Sequence, residues 1–476
     1  MTEMLIHSSP YSGTWYPGDP AELHSLLDRL WESSRRRTGP DLLQAARGFV
    51  VPHAGFIYSG TVAAAVYRHI THLQPERVVL MGFCHRGSPP GILIPEVRRI
   101  ETPLGGVDVD SEVIAELLRF PQFRLVREAQ VCDHSLEIQL PLLIKAAPEA
   151  RIVPLYIGHL ETAERAGAAK ILANWVGRRS VFVASSDLTH YGSAFHYLPF
   201  PVDSRTEDRL RELDSQIMEA TGSLSEDYFL SVIHETAATV CGYGPISLLL
   251  AILRHFDRHE EIFQSVLDYQ TSGEITGDFR HSVSYGALGY FPYSSFGLGP
   301  QEQKLLLGLA YQTLKAYQQT GRRILPEAPQ NLPEALERRC GVFVTLRKQG
   351  QLRGCLGRIA ADQPLKDSVL ELTLASALDD RRFEPVSPLE QDITIEISIL
   401  TPMKRILTQE DFRILEHGAL LKAKGSQGLL LPQVAHGRNW DAKQFLEALA
   451  HKAGVHATAL SDPATKLYVF RAQIIQ

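Results

Sequence analysis

Gly48-Phe-Val-Val-Pro-His-Ala-Gly55 is a short run of aromatic and β-branched residues that stops at a proline, a histidine and a glycine. Its length and composition suit a strand buried on both faces, the kind found in parallel sheets. Two more runs read the same way: Arg77-Val-Val-Leu-Met81, followed by Gly82-Phe-Cys-His85, and Val181-Phe-Val-Ala184, followed by Ser185-Ser-Asp-Leu-Thr-His190. Around them the residue pattern predicts helices over 20–34, 60–70, 110–120, 163–175 and 203–221. In the last, Leu210, Leu213 and Ile217 share one face. This alternation predicts an α/β layered sheet with flanking helices on both faces. Open α/β sheets bind ligands beyond the carboxyl ends of their strands, so His53, His85 and the 185–190 segment are expected to converge.

The strand-like stretch 285–291 runs into Pro292-Tyr-Ser-Ser-Phe-Gly-Leu-Gly-Pro300, where turn formers interrupt both apolar periods. The chain therefore divides into a first domain at 1–292, a linker at 293–301 and a second domain at 302–476. In the second, a helix is expected over 302–320, a hairpin from 342–347 and 351–357, and a strand at 393–399. Less regular interleaving makes this part α+β. Two domains also suit 476 residues, more than one ordinary core holds.

A net charge of −6 argues against general attraction to nucleic acid or to an anionic membrane. The first residues carry no basic region ahead of an apolar stretch, and the apolar stretch 246–253 is too short to span a bilayer, so a cytoplasmic location is expected. The five cysteines, at 84, 132, 241, 340 and 355, are too scattered for a disulfide framework.

His53 and His85 offer neutral imidazole nitrogens and Cys241 a thiolate, together a three-ligand face for a transition metal with positions left open. Asp187 and His190 are the candidate catalytic residues beside it, His190 as general base or as a fourth ligand. His134 and Glu137, one turn apart in Asp133-His-Ser-Leu-Glu137, are candidate supports for the ligands or contacts for a substrate. In a chain of 18 histidines any one of these reads equally well as a hydrogen-bonded structural residue; the joint pattern favours a site. Ser185, Ser186, Asp187 and His190 do not read as a serine hydrolase, because Gly-x-Ser-x-Gly is absent. In Leu352-Arg-Gly-Cys-Leu-Gly357, Arg353 next to Cys355 would favour a nucleophilic thiolate and a substrate contact. The competing reading, favoured on residue type alone, is a cysteine packed as a small apolar side chain.

Val51-Pro-His-Ala-Gly-Phe-Ile-Tyr-Ser-Gly60, Thr102-Pro-Leu-Gly105, Asp133-His-Ser-Leu-Glu-Ile-Gln-Leu-Pro141, Ser185-Ser-Asp-Leu-Thr-His190, Cys241-Gly242 and Thr271-Ser-Gly273, in that order over residues 8–291, resemble the Memo family. The resemblance implies a fold similar to LigB-type class III extradiol dioxygenases, non-haem iron enzymes that open catechol rings. It also implies His53, His85 and Cys241 as metal ligands, and His190 at the place of a catalytic histidine. Those dioxygenases use two histidines and a carboxylate, whereas Cys241 stands at the third position here. A thiolate is softer, so copper or zinc joins iron, the favoured cofactor. Asp133 stands where the family usually has glutamate, keeping the charge with a shorter reach.

Phe343-Val-Thr-Leu346, Leu352-Arg-Gly-Cys-Leu-Gly357, Asp380-Arg-Arg-Phe-Glu-Pro385, Glu396-Ile-Ser-Ile-Leu-Thr-Pro402, Leu430-Leu-Pro-Gln-Val434 and Lys452-Ala-Gly454 resemble the AMMECR family across residues 303–474. Asp380, Arg382 and Glu396 are polar candidates for a surface around Cys355. The two families occur as neighbours in prokaryotic gene sets that include a radical S-adenosylmethionine (radical SAM) enzyme, the AmmeMemoRadiSam system. A radical SAM partner is therefore implied, since the chain has no Cys-x-x-x-Cys-x-x-Cys motif of its own. The leading expectation is a metal-dependent, dioxygenase-like oxidoreductase acting on a small aromatic or cyclic molecule. Two other classes stay open: a scaffold that uses the pocket for metal or peptide binding, as animal Memo relatives are described as doing in signalling, and an accessory factor in nucleic-acid base modification, which the acidic charge disfavours.

Overall fold

The computed structural model describes residues 5–87, 89–176, 179–327, 329 and 331–476, which fall into two compact units, Met1–Pro292 and Tyr293–Gln476. In the first unit the three apolar runs are adjacent parallel strands. Gly48–Val51 pairs with Ser180–Ser185, which pairs with Arg77–Gly82, and Arg151–Ile157 follows in the same direction. Every residue of Gly48–Val51 is buried, as the unbroken apolar run predicts.

Beyond this parallel centre the sheet turns antiparallel. His281–Pro292 lies against Gly48–Val51 and forms a long hairpin with Ile262–Thr271, while His190–Gly192 pairs with its first residues. On the far side Ile92–Pro95 runs antiparallel to Arg151–Ile157 and parallel to Phe123–Val126. The layered sheet is thus mixed, with nine strands among the described residues. Polar residues such as Gln264, Ser265 and Asp268 interrupt Ile262–Thr271, so it leaves no continuous apolar run to read. A second, small sheet joins Ile6–His7, Arg99–Thr102 and Gly105–Asp108.

The five expected helices are present as Pro20–Thr38, Phe56–Leu73, Ser111–Leu117, Thr162–Val176 and Thr206–Gly222. Pro20–Thr38 starts where its capping chemistry dictates: Asp19 accepts from the N–H groups of Ala21 and Glu22 at 2.9 Å, and proline fills the first helical position. The apolar stretch at 246–253 lies in a further helix, Tyr243–Glu260, buried from Pro245 to Leu253. Among the described residues no helix is long and apolar enough to cross a membrane.

The second unit holds two four-stranded antiparallel sheets. One orders Gln351–Arg358, Val342–Lys348, Ile393–Leu400 and Ala472–Ile475; the other orders Lys404–Ile406, Lys466–Phe470, Gly418–Ala423 and Ser426–Leu430. Helices Pro300–Thr320 and Leu365–Leu378 share a core with the first sheet through Leu306, Leu314, Val344, Leu346, Val369 and Ile397. The expected linker at 293–301 is largely ordered structure: Tyr293–Phe296 forms a short 3-10 turn, Leu298 enters this core and the helix begins at Pro300. An apolar leucine buried in the unit outweighs the turn-forming composition around it.

Phe182 lies at the middle of the parallel centre and is 1% exposed. Phe182→Ala is expected to destabilise the first unit by about 3–5 kcal/mol, the usual cost of removing a buried aromatic ring. Chemical denaturation monitored by circular dichroism would show the loss as a lower midpoint.

Candidate metal centre

Adjacent parallel strands end side by side, and the side chains that follow them meet there. His53 follows Gly48–Val51, His85 follows Arg77–Gly82, and Asp187 follows Ser180–Ser185. The His53 N–H donates to Asp187 Oδ1 at 2.8 Å. Cys241 Sγ lies 3.2 Å from His53 Nε2 and accepts from the Asp187 N–H at 3.3 Å. Cys241 reaches this point because Gly242 follows it: a Cβ there would stand 2.5 Å from Ser186 Cβ and 2.6 Å from the Ser185 carbonyl oxygen.

Asp133 holds the other side. Its carboxylate accepts the His85 N–H at 3.1 Å and meets His85 Nδ1 at 2.8 Å. The His134 ring is stacked between those of His85 and Trp15, with centroid distances of 4.1 and 4.0 Å. Each imidazole is anchored through Nδ1: His53 on Ser185 Oγ at 3.1 Å, His85 on Asp133, His134 on Asp133 Oδ1 at 3.3 Å, and His190 on the Thr239 carbonyl at 3.0 Å. Metal-binding histidines are commonly fixed in this way, with the second ring nitrogen left to the ligand.

The ligand atoms of His53, His85 and His134 lie within 4.8 Å of one another, and so do those of His53, Asp187 and Cys241. The two groups share His53. His134, expected as a support, and Asp187, expected as a catalytic residue, are therefore close enough to act as ligands themselves. His190 lines the same cavity of about 900 Å³, together with Trp15, Tyr16, Phe56, Tyr58 and Tyr285.

Burial governs the titration of these donors. It pushes His53 and His134 down to about 3 and raises the Cys241 thiol and the Asp187 carboxyl. Asp187 adds to the rise at Cys241. The imidazoles are thus already deprotonated at neutral pH, and a divalent cation would supply the charge that a thiolate and a carboxylate need there. Nitrogen, sulfur and oxygen donors in this mixture fit a transition metal.

Glu137 has a different job from the expected support of a ligand. Its Oε1 accepts from the Tyr16 hydroxyl at 2.7 Å and from the Tyr11 N–H at 3.1 Å, fastening the N-terminal segment that lines the cavity. Its Oε2 is buried with no hydrogen-bond partner among the described residues, and burial raises the carboxyl from 4.5 to about 7. Sequence reading also missed Asp214. That carboxylate accepts from Thr189 Oγ1 and the Tyr269 hydroxyl, each at 2.6 Å, and so steadies the turn before His190. The signal was an aspartate on the apolar face of Leu210, Leu213 and Ile217.

In the second unit Arg353 does not serve Cys355 as expected. Strand pairing slips between Leu346 and Arg347, leaving Arg353 as the unpaired residue of a bulge. Its guanidinium is tied to Glu390 at 2.9 and 3.0 Å and to the Glu384 carbonyl at 2.8 Å. The arginine at Cys355 is Arg382, which donates to the Cys355 carbonyl at 3.0 Å.

Two pH effects follow. The folded protein binds a proton at Glu137 more tightly than the unfolded chain, so this group makes stability fall as pH rises from about 5 to about 7. Melting temperatures across that window should fall less in Glu137→Gln than in the unsubstituted protein. The second concerns metal. With His53 and His134 already neutral, the raised Cys241 thiol and Asp187 carboxyl are the groups that release protons on binding, so apparent zinc affinity should rise between pH 6 and 8, by ~10-fold per pH unit for each proton displaced. Competition with a chromophoric chelator would measure this, and Cys241→Ala should bind more weakly with a flatter slope.

Family models match both units. The family described as Memo-like protein matches residues 8–289, and AMMECR1 matches residues 307–475. A memo-1 homolog of Caenorhabditis elegans is 30% identical over 289 residues, covering 59% of this chain and 81% of its own. A MEMO1 family protein of Ignicoccus hospitalis is 32% identical over 302 residues, covering 60% and 98%. Among solved structures, an uncharacterized protein from Pyrococcus horikoshii is 32% identical, with a TM-score of 0.36, and covers 37% of this chain and 92% of its own. Extending over both strand-end histidines, Asp187 and Cys241, the first match shows that the chain belongs to the Memo-like protein family, and its second unit carries an AMMECR1 domain.

Proposed function

We propose that the first unit is a metal-dependent oxidoreductase, related in fold to the LigB-type extradiol dioxygenases, that oxidises or opens a small aromatic substrate. The observation that carries this reading is an aromatic-walled cavity of about 900 Å³ that includes His53, His85, His134 and Asp187 in its lining. His53, His85 and Cys241 would hold the ion, His53 being common to the group with His85 and His134 and the group with Asp187 and Cys241, with Asp187 and His134 as neighbouring donors. Iron is the favoured metal, and the thiolate also suits copper or zinc. A bound iron ion would supply redox chemistry and a Lewis-acidic point for a substrate oxygen.

The chain's own residues account for the remainder. His190 carries its proton on Nδ1, where the Thr239 carbonyl accepts it, so Nε2 is free to take a proton from a substrate hydroxyl. Trp15, Tyr16, Phe56, Tyr58 and Tyr285 offer ring faces and edges that pack an aromatic molecule and displace water. Asp133 fixes the His85 ring, which keeps a ligand from rotating away. A radical SAM enzyme as supplier or consumer of the substrate, and a cytoplasmic setting, belong to the same reading. One observation favours a second, a scaffold that binds a peptide: Ile57 lines the cavity yet is 72% exposed, an apolar rim open to a partner.

His190→Ala should keep its metal and lose ~10²–10⁴-fold in turnover of catechol-type compounds, the usual range for a general base. Elemental analysis of protein purified without oxygen, paired with oxygen-uptake assays, tests both halves. Turnover that survives removal of the metal would sink the proposal, and retained peptide binding without turnover would establish the scaffold.

A further inference from the structure

The second unit carries its own cluster of reactive groups, formed by strands Gln351–Arg358, Val342–Lys348 and Ile393–Leu400. Thr345 stands opposite Cys355 on one side and Glu396 on the other, so the three share one sheet face. The opposite face carries Val344, Leu346 and Ile397 into the core. Cys355 is partly exposed, and its sulfur accepts a hydrogen bond from Thr345 Oγ1 at 3.2 Å. Its N–H donates to Asp380 Oδ2 at 2.8 Å. The strand cannot back away from this geometry easily, because Gly354 presses on helix Leu365–Leu378: a Cβ there would lie 2.0 Å from the Ser376 carbonyl oxygen.

Two cations lie near the thiol. Arg382 grips Asp380 at 2.9 and 2.6 Å and the Cys355 carbonyl at 3.0 Å, which fixes its guanidinium beside the sulfur. Lys452, at the end of helix Ala442–Lys452, is exposed and near enough for the charges of Arg382 and Cys355 to act on it. Desolvation first, then repulsion by Arg382, lowers the pKa of its ammonium, and attraction to Cys355 opposes that fall. Among the described residues no carboxylate forms an ion pair with Lys452, and the Asp380 carboxylate is already engaged by Arg382. Arg353 is taken up by Glu390 and adds nothing here.

A fixed, reachable sulfur that accepts a hydrogen bond, with a guanidinium held at its own residue and an ammonium nearby, is arranged for nucleophilic attack. Asp380 offsets Arg382, and Arg347 pairs with Glu396, so Lys452 is the cation there that no carboxylate pairs with among the described residues, a place for an anion. We propose that Cys355 is a nucleophilic thiol for a small electrophile that carries a carboxylate or phosphate, with Arg382 and Lys452 binding that anionic group. The sulfur lone pair forms a bond to the electrophilic carbon, the leaving group departs with its bonding electrons, and the thiol proton goes to solvent. With iodoacetate as probe, a C–S bond forms, the C–I bond breaks and iodide leaves.

The test treats the full chain at neutral pH with limiting iodoacetate or iodoacetamide and reads Cys355 by peptide mass spectrometry, apart from the other four cysteines. A free cysteine peptide run in parallel sets the intrinsic ratio of the two rates. Cys355 should favour the anionic reagent ~10-fold more than the free peptide does, about the effect of 1.4 kcal/mol of charge recognition. Inorganic phosphate should slow only the iodoacetate reaction, and Lys452→Gln should return the ratio toward that of the peptide. A wild-type ratio equal to that of the free peptide, or a Cys355 inert to both reagents, overturns the proposal. The wild-type ratio decides by itself, so it stands whether or not the variant folds.

Discussion

A buried carboxylate organises the first unit. Asp187 is 3% exposed, and its Oδ1 accepts the His53 N–H at 2.8 Å where two neighbouring strands leave the sheet. The ladder itself extends one step further, from the Ser186 N–H to the Val51 carbonyl at 2.8 Å, before this side chain takes over. The Asp187 N–H then reaches Cys241, 54 residues along the chain. One residue thus ties two strand ends and the turn before a buried helix. A buried polar group is tolerated only where partners satisfy it. Here the partners are the backbone of one candidate ligand and the sulfur of another, so the constraint that closes the fold also sets the spacing of the site.

The two carboxylates at this centre are pushed in opposite directions. Asp133 is opposed by its own burial, yet hydrogen bonding to His85 and the nearby His134 hold it down at about 2. Asp187 is raised by burial, which its contacts with His190 and the backbone only partly offset. Environments that separate like groups assign them different work. Asp133 stays charged and orients two imidazoles, while at Asp187 burial disfavours the charge and a bound cation would favour it. The aromatic wall adds to this by keeping the dielectric low, which strengthens each charge interaction inside it.

The parallel centre was legible in the sequence because strands buried on both faces must be apolar throughout, as Phe49, Val50 and Val51 are. His53 and His85 were legible for a related reason: strand ends are where an α/β sheet presents its chemistry. The Ile262–Thr271 strand was not, because its buried, partly buried and exposed positions follow no period of two and its register slips between Val266 and Asp268. Roles that depend on side-chain direction were also hidden. Glu137 is one helical turn from His134, which suggested a shared task, yet it faces Tyr11 and Tyr16. Arg353 is two residues from Cys355, spacing that would put both on one face of a regular strand, but a bulge re-aims it to Glu390.

The chain's two partly exposed cysteines show how little residue type says about chemistry. Cys241 lies against a carboxylate and the imidazole of His53, and burial makes its thiolate costly unless a cation is bound nearby. Cys355 has the reverse surroundings: an O–H donor at the sulfur, a guanidinium locked at its carbonyl and an ammonium close enough to feel its charge. The first setting suits a metal, because a bound cation would offset the cost of its thiolate. The second already contains its cations and asks for an anion. Two thiols in one chain are thereby matched to opposite kinds of ligand, and the difference arises from what the surrounding strands and turns place around each sulfur.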